Sequence, residues 1–371
     1  MKLILAVDAI VPPLTGIGRY TWELAQYYSK DDSALDDVRF YFSSRWVADP
    51  STLLESGASK ARHRLPKFLR PPAGVRRWVQ RQSARNHVFH SPNYFLPEMV
   101  ERGIVTVHDL SVFKHPETHP IERLRHFERG FTSTLRRADH LITDSEATRL
   151  EVAEYFGWSV DKISAIRLGV PSNFRPYEHE ELVDTLRQFD LAPGQYSLCI
   201  STLEPRKRID RLLEAYAALD PSLRQRYPLV LGGGKGWLNE AINQQIARGE
   251  REGWLRYLGF IPELALPKLY AGARAFFYPS LYEGFGLPVL EALASGVPTL
   301  TSNRSSLPEV ADGAAWLVEP DDHAALCEGI EKTLCDETWR AVAITRGLEV
   351  AQEASWEQCA QRTLEVCRRF G

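Results

Sequence analysis

The stretch from residue 275 to residue 302 reads AFFYPSLYEGFGLPVLEALASGVPTLTS, and it decides the fold. The apolar and aromatic run Ala275–Tyr278 predicts a buried β-strand. Pro288 suits the first turn of a helix, and the apolar residues after it predict a helix over 288–295. A second apolar run, Val297–Ser302, predicts another strand. The order strand, helix, strand predicts a βαβ unit in which both strands lie in one parallel sheet.

The same alternation of strands and helices extends along the whole chain. It predicts two α/β domains in tandem, each a parallel sheet with helices on both faces. The proline-containing stretch Gly169–Gln195 is the predicted connection, and we place the boundary near residue 172. Further strands are predicted at Leu3–Val7, Val38–Phe42, His87–Phe89, Ile104–Val107, His140–Thr143, Tyr196–Ser201, Leu229–Leu231, Leu255–Leu258 and Trp316–Val318. Further helices are predicted at Tyr20–Ser29, Ile121–Arg136, Glu146–Phe156, Ile209–Ala218, Leu238–Ala247 and Ala265–Tyr270.

The composition of the 371 residues disfavours several classes of protein. Hydrophobic residues make up 44% and charged residues 25%, as in ordinary globular domains. A net charge of −3 does not favour nucleic-acid binding, although the first half is mildly basic and the second acidic. The five cysteines form no Cys-x-x-Cys pair, which disfavours a zinc site or disulfide framework and suits a reducing cytosol. The apolar run in MKLILAVDAI is too short for a signal peptide, and no run approaches the ~18 apolar residues of a membrane span.

The segment 57–97 departs from the average composition. It contains nine Lys or Arg residues and no Asp or Glu, with Trp78, Val79 and other apolar residues interleaved. An amphipathic basic surface of this kind binds anionic lipid headgroups, which predicts peripheral contact with a membrane. A solvated helical face with a few core contacts is the alternative.

Ligands of open α/β sheets bind beyond the carboxyl ends of the strands, and several predicted strand ends carry polar or glycine-rich residues. Gly16 and Gly18 allow backbone N–H groups to approach a phosphate, although Thr21 replaces the third glycine of the dinucleotide fingerprint. Gly234 and Lys235 lie in a cationic loop that does not match a P-loop. A plain turn is the alternative at both places. The strand ends of the first domain also carry His90, Asn93, His108, Asp109 and Ser145.

Cations and carboxylates mark two strand ends in the second domain. Arg206 and Lys207 follow a predicted strand, and fixed cations there suit a diphosphate, although a basic pair can also be a solvated surface. Glu283 and Glu291 bracket the glycine-containing turn, and we place Glu291 in the first turn of the helix. The helix N-terminus favours an anion, and carboxylates suit vicinal sugar hydroxyls. The alternative is that both acids only complement the helix dipole.

These motifs, in this order, resemble the retaining glycosyltransferases of family 4, which have the GT-B fold. The similarity is carried by the E-x7-E element Glu283–Glu291 and by motifs that span nearly the whole chain. These are Gly16-Ile-Gly18, His90-Ser-Pro-Asn93-Tyr94, Val107-His-Asp-Leu110, Thr143-Asp-Ser-Glu146, Glu204-Pro-Arg-Lys207, Gly234-Lys-Gly-Trp237, Ser302-Asn303 and Leu307-Pro-Glu-Val310. The resemblance implies an α/β protein whose two Rossmann-like domains face each other across a cleft. The expected parts are an acceptor domain, 1–172, a donor domain, 173–355, and a terminal helix, 356–371, that crosses back to the first domain.

The resemblance also implies roles for individual residues. Arg206 and Lys207 would clamp the donor's diphosphate, while Glu283 and His108 would lie at the transferred sugar, so these four are the candidate catalytic residues. Glu291 would bind the ribose hydroxyls. The other donor-binding candidates are Gly16, Gly18, Gly234, Lys235, Ile261, Phe285, Gly286 and Leu287, with the nucleotide base near Phe260 and Ile261. The acceptor-side candidates are His90, Asn93, Asp109 and Ser145.

The expected reaction is transfer of a hexose, with retention at its anomeric carbon, from a nucleotide sugar to a glycan. The Gly-Lys-Gly-Trp and His-Ser-Pro-Asn-Tyr elements look most like those of bacterial mannosyltransferases of O-antigen and polysaccharide synthesis. That resemblance implies GDP-mannose or GDP-rhamnose as donor, a lipid-linked oligosaccharide as acceptor, no metal or other cofactor, and a cytoplasmic protein at the inner face of the membrane. The alternatives are a UDP-sugar-dependent glycosyltransferase of the same family and a GT-B nucleotide-sugar epimerase.

Overall fold

The computed structural model describes residues 1–14, 16–30, 35–55, 74, 81–234, 236 and 240–371. These residues divide into two compact units. The first unit contains Met1–Leu110, Pro120–Gly169 and Trp356–Gly371, and the second contains Ser111–His119 and Val170–Ser355. The chain thus enters the second unit at Val170, close to the boundary placed near residue 172. The segment Ser111–His119 makes an excursion from the first unit into the second, which the sequence analysis did not predict.

The first unit is built on a seven-stranded sheet. Its strands are β1 (Lys2–Ala6), β2 (Asp37–Phe42), β3 (Arg45–Val47), β4 (Val88–Ser91), β5 (Gly103–Val107), β6 (Ala138–Thr143) and β7 (Ile163–Ala165). They lie in the order β3-β2-β1-β4-β5-β6-β7, and only β3 runs antiparallel to its neighbour. Leu3, Ile4 and Leu5 of β1 have no exposed surface. A continuous apolar run is what a parallel strand covered on both faces requires.

The second unit is built on a parallel six-stranded sheet. Its strands are β8 (Ser197–Ile200), β9 (Leu229–Gly232), β10 (Leu255–Gly259), β11 (Ala275–Tyr278), β12 (Thr299–Ser302) and β13 (Ala315–Val318). Their order is β10-β9-β8-β11-β12-β13. The core on one face gathers buried residues of β8, β9, β11 and the helices that cover them, among them Tyr216, Trp254 and Phe277.

Helices follow most strands and cover the two sheets. In chain order they are α1 (Gly16–Tyr28), α2 (Thr52–Glu55), α3 (Ser111–Lys114), α4 (Ile121–Leu135), α5 (Glu146–Phe156), α6 (His179–Arg187), α7 (Ile209–Ala218), α8 (Pro221–Arg226), α9 (Glu240–Glu252), α10 (Leu266–Ala271), α11 (Leu287–Ala294), α12 (Leu307–Ala311), α13 (His323–Cys335), α14 (Glu337–Gln352) and α15 (Trp356–Arg368). The terminal helix α15 belongs to the first unit and packs against α1.

Each predicted strand and helix is present, with ends that differ by a few residues at most except at the C-terminal end of α9. The sequence analysis did not predict β3, β7 or the helices α2, α3, α6, α8, α12, α13 and α14. The strands β3 and β7 have three residues each, too few for a period-2 pattern to stand out. Residues 56–73 and 75–80, most of the basic segment 57–97, lie outside the described residues, as does Lys235.

The topology marks one position in each sheet where ligands are expected. From β1 the chain continues to β2 on one side, whereas from β4 it continues to β5 on the other. In the second sheet β8 and β11 stand in the same relation, since β9 and β12 lie on opposite sides of the pair. At such a switch point the loops diverge and leave a crevice beyond the carboxyl ends of the strands.

The cysteines contribute to the core. All five are free, and Cys199, Cys359 and Cys367 are buried. Burial raises the pKa of Cys199 and of Cys367 to about 12, so both thiols stay protonated at neutral pH. No helix in the part of the chain that the structure describes is both long and apolar enough to cross a bilayer.

The packing of α13 on the second sheet gives a testable prediction. A Cβ added to Gly329 would lie 2.6 Å from Leu300 Cδ1 and 2.9 Å from Trp316 Cδ1. Overpacking of this kind costs about 1–3 kcal/mol, against a gain of about 1 kcal/mol in helix propensity. We expect Gly329→Ala to lower the free energy of unfolding in urea, while the exposed neighbour variant Glu328→Ala changes it by less than about 0.5 kcal/mol. A stabilised Gly329→Ala protein would show that α13 packs differently.

Candidate active site

A buried carboxylate lies at the switch point of the second sheet, between the carboxyl ends of β8 and β11. Glu283, which follows β11, accepts a hydrogen bond at Oε2 from Arg206 Nη1 (2.9 Å) and at Oε1 from Lys207 Nζ (2.5 Å). Tyr278 Oη and Ser280 Oγ also donate to Oε1, at 2.9 and 2.6 Å. Four protein donors therefore hold this carboxylate, and three of them meet on one oxygen.

The neighbouring cations lower the pKa of the Glu283 carboxyl group. Burial alone raises the pKa of Glu283, but the charges of Arg206 and Lys207 and the hydrogen bonds from Lys207 and Ser280 outweigh it and lower the pKa to about 2. Burial, together with the charge of Arg206, lowers the pKa of Lys207, and Glu283 opposes that shift. Glu204 is a second acid in the cluster, with Oε2 3.6 Å from Arg206 Nε. Glu283 therefore stays charged at neutral pH and holds both cations in place.

The turn that carries Glu283 is anchored by residues that follow β12. Ser305 Oγ accepts a hydrogen bond from the Glu283 backbone N–H (2.9 Å), and Ser306 Oγ donates to the Glu283 carbonyl oxygen (2.9 Å). Gly286 closes the turn with a φ of 119°, and an added Cβ would lie 2.7 Å from Leu307 Cδ2. Only glycine fits both the left-handed backbone and the space.

The helix α11 begins directly after this turn. Leu287 is its first residue, and Phe285 is buried just before it. The placement of Glu291 in the first turn is wrong: the helix starts at Leu287, so Glu291 is its fifth residue and lies in the second turn. Its carboxylate faces the hydroxyl of buried Tyr270, whose pKa is raised by burial and by the charge of Glu291.

The loop after β9 is built by close backbone contacts. The Gly233 N–H donates to the Gly259 carbonyl oxygen (2.7 Å), and the Leu203 N–H donates to the Gly234 carbonyl oxygen (3.1 Å). Gly234 is exposed and has open space where a Cβ would lie. Of the two residues expected at the nucleotide base, Ile261 is buried, whereas the Phe260 side chain is 65% exposed. Phe260 therefore has the more accessible ring.

The excursion Ser111–His119 adds two side chains beside the Glu283 cluster. The His115 ring lies 5.0 Å from the Tyr282 ring, and Lys114 Nζ lies 5.8 Å from the same ring centroid. The carbonyl oxygen of Tyr282 accepts a hydrogen bond from Arg206 Nη1 (2.6 Å). A segment between the fifth and sixth strands of the first sheet thus contacts the second sheet's loop.

His108, in the first unit, is buried with both ring nitrogens bonded. Nδ1 lies 2.7 Å from Asp144 Oδ2, and Nε2 lies 2.7 Å from the carbonyl oxygen of Pro92. Burial lowers the pKa of His108, but Asp144, the Pro92 carbonyl and Asp109 together raise it by more, so the net shift is upward. The Asp144 carboxylate and the Pro92 carbonyl oxygen are both acceptors, an arrangement that favours the doubly protonated ring.

The remaining candidates of the first unit have different surroundings. His90 is fully buried, and burial and the neighbouring His108 lower its pKa to about 3, so its ring is neutral. Ser145 is the N-cap of α5, with Oγ accepting from the Thr148 backbone N–H (3.1 Å). The Asp109 N–H donates to Tyr94 Oη (2.9 Å). Asn93 is half-buried at the end of β4, Gly16 is the exposed first residue of α1, and Gly18 is buried.

Several residues of the cluster were not among the site residues predicted from the sequence. Tyr278, Ser280, Glu204, Ser305 and Ser306 all bond Glu283, Arg206 or the turn around them. Each follows or ends a strand, which is the only signal that the sequence offers. Among the described residues, no group of three His, Cys, Asp or Glu side chains is arranged to hold a metal ion.

Comparison with known proteins agrees with this fold. Residues 14–174 match the family model of glycosyltransferase family 4, and residues 187–349 match that of glycosyl transferases group 1. The chain is 39% identical to O-antigen chain mannosyltransferase B of Escherichia coli over 99% of both chains. It is also 30% identical to the serotype-specific mannosyltransferase WbdA of Escherichia coli, a match that spans 72% of this chain and 34% of that protein.

Among solved structures, Anabaena HepE in complex with UDP and glucose has a TM-score of 0.75 at 18% identity, over 100% of both chains. Two α/β sheets with this topology form the GT-B fold, as the sequence analysis predicted. The chain belongs to glycosyltransferase family 4, as the full-length relative and the two family models show. As a member it uses a nucleotide-sugar donor and a glycan acceptor.

Removing the charge of Glu283 tests the ion cluster. In Glu283→Gln the cations Arg206 and Lys207 lose a buried partner, which costs about 3–5 kcal/mol. We expect this loss in the free energy of unfolding in urea at pH 7. Glu181→Gln, which removes one partner of an exposed ion pair, is the matched control and should change stability little. A Glu283→Gln protein as stable as the wild type would contradict the account.

The lowered pKa of Glu283 predicts how the free energy of unfolding depends on pH. The pKa of Glu283 is lowered from its usual 4.5 to about 2 in the folded protein. A carboxyl group whose pKa is lower in the folded protein stabilises the fold at pH values above its unfolded-state pKa. That stabilisation is lost as the pH falls through its folded-state pKa. The difference in unfolding free energy between wild type and Glu283→Gln should therefore shrink as the pH falls from 4.5 towards 2. A difference that stays constant over this range would contradict the lowered pKa.

Proposed function

We propose that this enzyme transfers mannose from GDP-mannose to a lipid-linked oligosaccharide in the synthesis of bacterial O-antigen. The observation that carries the proposal is the relation to O-antigen chain mannosyltransferase B of Escherichia coli, which extends over 99% of both chains. Relatives named as mannosyltransferases recur among the more distant matches. A GDP-6-deoxyhexose such as GDP-rhamnose is the second candidate donor.

The cluster around Glu283 supplies what a nucleoside diphosphate leaving group needs. Negative charge develops on the diphosphate as the glycosidic bond breaks, and preorganised cations stabilise it without reorganising. Arg206 and Lys207 are held by hydrogen bonds of 2.9 and 2.5 Å to the same carboxylate. The N–H groups of Gly286 and Leu287 begin α11 beside them and favour the same anion.

The hydrogen bonds of Glu283 support a binding role for its carboxylate rather than nucleophilic attack. Oε1 already accepts from Lys207, Tyr278 and Ser280, whereas the bond from Arg206 reaches Oε2. Oε2 therefore keeps capacity for a sugar hydroxyl. A carboxylate whose pKa is about 2 and which is held by four donors is a weak nucleophile.

Retention at the anomeric carbon then follows without a covalent intermediate. The acceptor hydroxyl attacks the face from which the diphosphate departs, and the leaving phosphate oxygen takes the acceptor's proton. His108 does not serve as the base, because Asp144 and Pro92 hold both of its N–H groups. We assign His108 a positioning role with a fixed positive charge. Glu291 remains the candidate for the ribose hydroxyls, and the exposed ring of Phe260 is a surface on which the base could stack.

Two further parts of the proposal concern metal and membrane. Two fixed cations at the diphosphate make a metal ion unnecessary for charge stabilisation, so we propose that transfer is metal-independent. The basic composition of segment 57–97 supports contact with anionic lipid at the cytoplasmic face of the membrane.

A nucleotide panel tests the donor. We expect GDP and GDP-mannose, in EDTA and at about 100 times their dissociation constants, to stabilise the protein by about 2.7 kcal/mol in a thermal-shift assay. UDP and ADP at equal concentration should have little effect. Stabilisation by UDP compounds alone would replace the GDP donor by a UDP-sugar. Conversion of a GDP-sugar to its epimer without acceptor would favour an epimerase.

Lys207→Met tests the diphosphate clamp. Loss of a charge-assisted bond worth about 1.5–3 kcal/mol should raise the Kd of GDP, measured by calorimetry, tenfold or more. Lys332→Met is the control, because that lysine pairs with Asp336 on the surface of α13 and lies outside the cluster. Equal GDP affinity in wild type and Lys207→Met would place the diphosphate elsewhere.

A further inference from the structure

The amino edge of the first sheet carries a cavity that is lined mainly by charged residues. Its volume is about 520 Å³, and it lies where β5, β6 and β7 begin. We call it the amino-end cavity, and all of its lining residues belong to the first unit. Its charged lining residues are Glu101, Arg102, Arg136, Arg137, Asp139 and Lys162.

The amino-end cavity lies at the opposite edge of the sheet from the first unit's site candidates. His108 and Asp144 follow β5 and β6, whereas Arg102 and Arg137 directly precede the same two strands. β5 has five residues and β6 has six. A strand rises about 3.3 Å per residue, so the two edges are about 15–20 Å apart. A ligand in this cavity would therefore bind apart from the crevice beyond the carboxyl ends.

Both acids in the wall are already paired with cations. Arg102 Nε donates a hydrogen bond to Asp139 Oδ1 (2.7 Å), and a second arginine, Arg81, forms an ion pair with Glu101. Each carboxylate thus has a cation of its own. Neither acid is available to neutralise the other three cations of the wall.

Arg137 is a fixed cation with no carboxylate bound to it. Its guanidinium donates to four backbone carbonyl oxygens, two at Nη1 and one each at Nη2 and Nε, over 2.5–3.2 Å. Burial lowers the pKa of Arg137, and the charge of Glu98 opposes that shift. A guanidinium has five N–H groups, so one N–H at Nη2 remains for a ligand.

Arg136 and Lys162 supply the accessible charge. Both side chains are exposed, and neither makes an ion pair with any residue that the structure describes. Arg136 follows the last residue of α4, and Lys162 directly precedes β7, so both are attached to regular structure. Like charges held in one cavity repel each other, and a bound anion would relieve that repulsion.

An aromatic ring adds an apolar surface to the wall. Phe370 is 41% exposed, and its ring centroid lies 5.5 Å from that of buried His140. Burial and the charges of Arg369 and Arg149 lower the pKa of His140 to about 4, so its ring is neutral at pH 7. Phe370 therefore packs on a neutral ring and presents apolar surface beside the cations.

The chemistry of the wall favours a phosphate group. A guanidinium matches the geometry of phosphate oxygens, and a lysine adds a point charge. A phosphate monoester carries about −1.5 to −2 charges at pH 7, enough to balance Arg136 and Lys162 together. A volume of about 520 Å³ lies within the roughly 300–1,000 Å³ of ligand sites, so the ligand can be larger than the phosphate ion itself.

We propose that the amino-end cavity binds a phosphate monoester or a diphosphate, at a site separate from those of the donor and the acceptor. Arg136 and Lys162 bind the phosphate oxygens, and the remaining N–H of Arg137 donates to one of them. Phe370 packs against the group that carries the phosphate. A soluble phosphate compound and a phospholipid headgroup share this chemistry. The assignment does not rest on the proposed function.

Inorganic pyrophosphate is the probe, and the ring of His140 reports on the cavity. We would add pyrophosphate to the intact protein with isotope-labelled histidine and follow the His140 signal by NMR, identified by its loss in His140→Gln. We expect one saturable shift. The double variant Arg136→Gln/Lys162→Gln should raise the Kd at least tenfold, because it removes both accessible charges.

Two controls separate this site from other cations. Arg248→Gln/Arg251→Gln removes two exposed cations of α9 in the second unit and is matched in charge to the cavity variant. Lys207→Met removes a cation of the proposed diphosphate clamp. In both controls the Kd reported by His140 should stay within twofold of wild type.

Three outcomes would overturn the proposal. These are no shift of the His140 signal up to tens of millimolar pyrophosphate, an unchanged Kd in the cavity double variant, and a Kd raised as much in Lys207→Met as in that variant. Should the double variant lower the melting temperature, Lys162→Gln alone carries the test, with a Kd raised at least threefold.

Vesicles distinguish the two sources of the phosphate. We would compare binding of the cavity double variant and the α9 double variant to phosphatidylcholine vesicles that contain phosphatidic acid. Weaker binding of the cavity variant would assign the site to a lipid headgroup. Equal binding would assign it to a soluble phosphate compound. Either result, together with the pyrophosphate titration, supports a phosphate site at the amino end of the sheet.

Discussion

The buried carboxylate of Glu283 is the constraint on which the second unit's site depends. Two cations, a tyrosine and a serine converge on it, and it fixes the distance between the loops that leave β8 and β11. A buried ion cluster is weak evidence for stability, because desolvation offsets most of the attraction. The ion cluster instead fixes the positions of Arg206 and Lys207 at the end of a strand. A diphosphate that reaches this site meets cations already in place.

Each unit has a crevice at the same position in its sheet, but the two crevices are lined by different kinds of residue. In each sheet the crevice lies where successive connections turn to opposite sides. In the second unit that crevice holds cations and the start of α11, which suit an anion. In the first unit it holds Asp8, hydroxyls and an aromatic ring without a cation among its described lining residues, which suits a neutral sugar. An enzyme that joins a nucleotide sugar to a glycan needs one site of each kind.

Much of this architecture follows from the sequence, because apolar runs and their spacing are local signals. These local signals predict the strands, the helix after Gly286 and the residues that lie at strand ends. Of the partners of Glu283, Arg206 and Lys207 were predicted as site residues, whereas Tyr278 and Ser280 were not, because their sequence indicates only a strand and its turn. Their convergence with Lys207 depends on β8 and β11 being neighbours, which only the sheet order reveals. For the same reason Asp8, which follows the first strand, was not among the site candidates, since its relation to Asn93 depends on β1 pairing with β4.

A double-mutant cycle on GDP affinity measures the central claim most directly. The account holds that Glu283 serves donor binding by positioning Lys207. Glu283→Gln should therefore weaken GDP binding in the wild-type background and have little further effect in the Lys207→Met background. The two substitutions would then be strongly non-additive, as for residues in contact. Additive losses in the double variant would contradict the claim and show that the two side chains meet the diphosphate independently.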